Sequence, residues 1–95
     1  MSIETRIEDI VTAERIPTAD EMYRMGIEAS TGCEGGEVDL VAAHKWFNLA
    51  AVQGNTEAAY YRKQLTEEMD ARQVAEAQRE AREWLRKIRP VTNAA

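Results

Sequence analysis

Asp39-Leu-Val-Ala-Ala-His-Lys-Trp-Phe-Asn-Leu-Ala-Ala-Val-Gln-Gly54 is the stretch that decides the fold. Asp39 has the short acceptor side chain that caps a helix N-terminus. Gly54 supplies the left-handed residue that commonly ends one. Between them Ala43, Trp46, Phe47, Ala50 and Ala51 recur at helical spacing, giving an apolar face of small residues and two aromatics. Small side chains on such a face let a second helix come close, because larger ones would hold the backbones apart.

The flanks read the same way. Toward the amino end, Thr18-x-x-Glu21 has the form of a capping box. The helix it opens runs through Met22, Met25, Gly26 and Ala29 and stops near Gly32. Cys33-Glu34-Gly35-Gly36-Glu37 then reads as a loop. Toward the carboxyl end, Asn55 caps a helix predicted from Thr56 to Met69. Asp70-x-x-Gln73 opens another that runs to about Arg89, before Pro90. Its apolar positions are Val74, Ala77, Ala81, Trp84, Leu85 and Ile88. Ahead of all of these, Ile3, Ile7, Ile10 and Val11 share one face of a helix predicted from Ser2 to about Arg15. Ile16-Pro17 closes it, since a residue before proline avoids the α region. No strand pattern competes, and the expectation is an all-α chain of about five short helices joined by tight turns.

The core of such a chain is thin. A chain of 95 residues is one small domain, and at that size only roughly 60–65% of the unfolded surface is buried. Ile, Val, Leu and Phe together number 17, while Ala alone numbers 15. With only 2 Pro and 5 Gly the composition is that of closely packed helices, not of a linker. Several classes drop out. No apolar run approaches the ~18 residues of a membrane span, and Met1 to Arg6 has no apolar core like a secretory signal. Cys33 is the single cysteine and His44 the single histidine, too few for a disulfide or an ordinary zinc site. A cytoplasmic location is the expectation.

Catalytic chemistry has little to work with. His44 sits beside Lys45 with no Ser-His-Asp or Cys-His spacing around it, and it reads as a solvated surface histidine. Cys33 lies among acidic neighbours, Glu34 and Glu37, which raise a thiol pKa and lower its reactivity. The loop glycines lack the Gly-Lys-Ser/Thr ending and preceding strand of a phosphate cradle. Glu67-Glu68 precedes a turn and reads as solvated. No catalytic, cofactor-binding or metal-binding residue is expected.

The stretch from Ala19 to Ala58 resembles the Sel-one-like repeat, an α/α-hairpin relative of the tetratricopeptide repeat. Ala19, Met25-Gly26 and Gly32 match the family's first helix and its exit. Asp39, Ala43, Trp46-Phe47, Ala50-Ala51, Gly54 and Ala58 match its second helix at the family's spacing. Ala29 stands where the family usually has Tyr, Ala42 where it has Lys, and the loop before Asp39 is one residue longer. The following unit is eroded: Arg62-Lys63 occupies the place of Leu-Gly, and only Ala81-x-x-Trp84 echoes Ala43-x-x-Trp46. The resemblance implies a short α/α-hairpin solenoid with one intact repeat and one degenerate unit. Residues 1–17 then form an amino-terminal amphipathic helix and residues 18–95 the repeat unit with its carboxyl-terminal helix. It also implies protein–protein interaction as the general activity. The motif residues read as packing, with Trp46 and Phe47 supplying most of the buried aromatic area of the hairpin.

Two surfaces are candidates for contact. Net charge is −5 over the chain, but it divides unevenly. Residues 1–70 carry −8 and residues 71–95 carry +3. Arg79, Arg82, Arg86 and Arg89 follow spacings of 3, 4 and 3 and share one helical stripe. Glu83 is placed to pair with Arg79 and Lys87. The functional reading is a docking stripe for an acidic partner, with Trp84 or Leu85 as an apolar anchor. The Ile3, Ile7 and Ile10 face is the second candidate, as a helix that enters a partner's groove. The expectation is a non-enzymatic interaction module, an accessory or adaptor subunit of a larger cytoplasmic assembly that binds a larger enzyme or complex or associates with itself. The runner-up is a small regulator acting on nucleic acid, or on a nucleic-acid enzyme, through the basic carboxyl-terminal helix. The acidic body makes direct nucleic-acid binding the weaker of the two.

Overall fold

The computed structural model describes residues 16–32 and 35–88. Within them the chain is all-helical: α1 (Ala19–Thr31), α2 (Leu40–Val52), α3 (Thr56–Glu68) and α4 (Ala71–Ile88). Of the five expected helices these are four. The helix expected over Ser2–Arg15, with Ile3, Ile7 and Ile10, lies outside the described residues, as do Cys33 and Arg89.

Local chemistry sets the helix starts. Thr18 and Glu21 form the reciprocal box: Glu21 N–H donates to Thr18 Oγ1 at 3.1 Å, and Thr18 N–H to Glu21 Oε1 at 3.0 Å. Asp39 Oδ1 accepts from Ala42 N–H at 3.0 Å, and Asn55 Oδ1 from Ala58 N–H at 2.8 Å. Asp70 and Gln73 repeat the box ahead of α4, at 2.8 and 3.0 Å. Each cap satisfies amide groups that the first helical turn leaves without a partner. At the other end of α1, Gly32 takes the left-handed conformation, φ 72°, and its N–H bonds to the Glu28 carbonyl. Gly54 has φ 104°, but it follows Gln53, which is the residue that caps α2.

The four helices do not pack equally. Helix α2 lies against α1, α3 and α4, whereas α1 and α3 touch only slightly. Its sequence explains why. Its buried residues Ala43, His44, Phe47, Leu49 and Ala50, all apolar but His44, spread over more than half of its circumference. The core gathers on it: Met22 from α1, Ala58 and Leu65 from α3, Met69 from the following turn, and Ala77 and Ala81 from α4. At Gly26 the Phe47 ring of α2 lies directly against α1. A Cβ there would lie 2.6 Å from two carbons of the Phe47 ring, well inside contact distance. The glycine is therefore a packing requirement of this hairpin.

Three expectations change. Phe47, at 1% exposure, is the buried aromatic of the hairpin, while Trp46 is only partly buried. His44 is not a solvated residue; it is 2% exposed, because α3 lies over the side of α2 that carries it. Trp84 and Leu85, expected as apolar anchors for a partner, are not fully exposed. Both are partly buried and pack against the chain's own core, since α4 lays its apolar stripe on α2.

Candidate interaction surfaces

On α4 the arginine stripe divides in two. Arg79 bonds Glu76 Oε2 at 2.8 Å and Glu83 Oε2 at 3.2 Å. Those two carboxylates, Glu76 first, raise its already high pKa. Arg79 is thus matched within its own helix, and Glu76 is a partner that spacing alone left unassigned. Arg82 and Arg86 are exposed and form no ion pair among the described residues. Exposed Arg72 extends the same stripe one further heptad toward the amino end. Lys87 is also exposed, and the Glu83–Lys87 pair does not form.

A shallow cleft of about 260 Å³ lies between α2 and α4, lined by Lys45, Arg79, Glu80, Glu83, Trp84 and Lys87. Trp84 is the one aromatic side chain in that lining, and it packs on Trp46. Trp46 and Trp84 meet edge to face with centroids 5.4 Å apart, and Lys45 Nζ sits 4.4 Å over the Trp46 ring. The arrangement joins a quadrupole contact to a cation–π contact. Partial burial, with a hydrogen bond that its protonated form donates to Glu76, pushes the Glu80 carboxyl above its ordinary range, and Lys45 works against that. Cations and carboxylates alternate around this rim, so it selects no single sign of charge.

The other surface was not anticipated. Phe47 stacks on Tyr61 at 5.7 Å and 26°, Tyr23 touches both, and Tyr60 meets Tyr61 edge-on at 5.2 Å. The rings lead from the core outward: Phe47 is buried, Tyr61 is 39% exposed and Tyr60 is 58% exposed. Burial, Glu57 and Tyr61 together raise the Tyr23 phenol pKa. A signal was present in the sequence. Adjacent residues on a helix point about 100° apart, so Tyr60 and Tyr61 cannot both face one core.

Among the described residues no group of three or more His, Cys, Asp or Glu is placed to hold a metal ion. No helix among them is long and apolar enough to cross a membrane. Known protein families, curated proteins and solved structures contain no match to this chain. The surfaces themselves therefore carry the functional reading.

Proposed function

We propose that this chain is a non-enzymatic protein–protein interaction module, an accessory or adaptor subunit of a larger cytoplasmic assembly. The observation that carries the reading is the tyrosine surface. Tyr60 and Tyr61 present aromatic area on a framework held by buried Phe47, and tyrosine and arginine are the residues in which binding energy concentrates. Arg82 and Arg86 supply positive charge on α4 that is unpaired among the described residues. The Sel-one-like reading is part of the same proposal. Its motif positions Gly26, Ala43, Phe47, Ala50 and Ala58 are all buried, and Asp39 caps α2 as the motif requires. The partner on this reading is a larger enzyme or complex.

The test uses the full chain as bait in its native cell extract, beside Tyr60→Ala and Arg82→Glu/Arg86→Glu variants. All three should have the same helicity, because the altered side chains are exposed. Proteins retained by the wild type and lost with Tyr60→Ala support the reading. An unchanged set with both variants removes these surfaces from the interface. Nucleic acid retained instead, with a steep fall of log affinity against log salt that the arginine reversal abolishes, would favour the regulator reading.

A further inference from the structure

We propose that the seam between α2 and α3 is an acid-sensitive joint whose titrating group is His44. The hydrogen bonds around the ring determine how it is protonated. Thr66 Oγ1 donates its one proton to the Arg62 carbonyl at 2.9 Å. It therefore meets His44 Nε2, 3.0 Å away, as an acceptor, and Nε2 carries the hydrogen. The neutral ring then has its lone pair on Nδ1. That atom is buried and has no hydrogen-bond partner among the described residues.

Adding a proton at Nδ1 places an N–H, and a charge, where no side chain among the described residues accepts either, and the residue's own backbone offsets only part of the cost. The surroundings oppose the charge as well. Arg62 of α3 holds its guanidinium at this seam, bonded to Asn48 Oδ1 at 3.0 Å, one turn along α2 from His44. It is the charged group that acts on the ring; no titratable side chain described on α1 or α4 adds a compensating carboxylate. Burial first, and Arg62 second, lower the His44 pKa from 6.5.

The sign follows from which state takes up the proton. Above about pH 7 the ring is neutral whether folded or unfolded, and the seam has its full strength. As pH falls through the unfolded value, the unfolded chain binds a proton that the native seam refuses, so stability drops down to the depressed native value. The ring's side-chain contact is with Thr66 of α3, so opening of the α2–α3 seam is the motion we infer admits water to it. The Phe47–Tyr61 stack spans the same two helices, so it separates in the same motion.

The chain has one histidine, so its ring resonances need no assignment. Proton NMR of the full chain between pH 8 and 5 should show the native ring titrating below its ordinary value of 6.5. Between pH 7.5 and 5.5 the melting temperature should fall by roughly 5 °C. His44→Leu should remove that fall, and amide exchange in mild acid should quicken in α3 before α1. A native ring that titrates near its ordinary value overturns the proposal. So does an equal fall in the Leu variant. Should that variant not fold, the ring titration and the order of amide exchange in the wild type decide alone.

Discussion

The α1–α2 contact and the α2–α3 contact use opposite means to join helices of the same length. Between α1 and α2 the approach is dry. Gly26 admits the Phe47 ring, and Met22, Ala43 and Ala50 close around it at 0% exposure. Between α2 and α3 a polar ladder runs beside the apolar contacts. His44 meets Thr66 and Asn48 meets Arg62, one helical turn apart on both sides. The dry contact depends on shape and fails when volume changes. The polar contact depends on every partner being supplied, and His44 Nδ1 is the place where, among the described residues, one is missing. Two helices of one small array can therefore differ in their response to pH.

The largest expected effect removes the residue common to both contacts. Phe47→Ala should cost about 3–5 kcal/mol, because a fully buried aromatic leaves both transfer and cavity terms behind. Urea denaturation measures this, and a loss under about 1 kcal/mol would mean that Phe47 does not join the two regions. Trp46→Ala should cost less, about 2 kcal/mol, because Trp46 is only partly buried. A Trp46 loss equal to or larger than the Phe47 loss would reverse their order in the core.

Gly26→Ala sharpens the comparison by touching the dry contact alone. Alanine gains about 1 kcal/mol in helix propensity, but its methyl group overlaps a ring with no free space, at about 1–3 kcal/mol. The net should be a loss of about 1–2 kcal/mol, with slopes of stability against pH unchanged. A more stable variant would show that the two helices separate without penalty. Smallest is Asp70→Ala, which deletes the cap of α4 and should cost about 1 kcal/mol. Circular dichroism should show fraying limited to α4; loss of helicity throughout would make α4 part of the same cooperative unit as the hairpin.

What was legible in the sequence follows distance along the chain. The caps at Thr18, Asp39, Asn55 and Asp70 join residues three apart, so each is specified by its own neighbours. The small residues at Gly26, Ala43 and Ala50 likewise announced a close contact, and the structure puts that contact at Phe47. The aromatic surface was legible in principle, through the angle between Tyr60 and Tyr61, but nothing in composition distinguishes a half-buried tyrosine from a solvated one.

Sequence by itself determined that the described chain is helical, where each helix starts, and which faces are apolar. Those properties arise from hydrogen bonds and side-chain periods within a few residues. Tertiary structure alone decided that His44 is enclosed, that Trp84 turns onto Trp46, and that Arg79 and Arg82 differ in their freedom. A helix face has more than one neighbour to choose from. Exposure, protonation and charge pairing depend on which neighbour arrives, and in this chain α3 and α4 both arrive on α2.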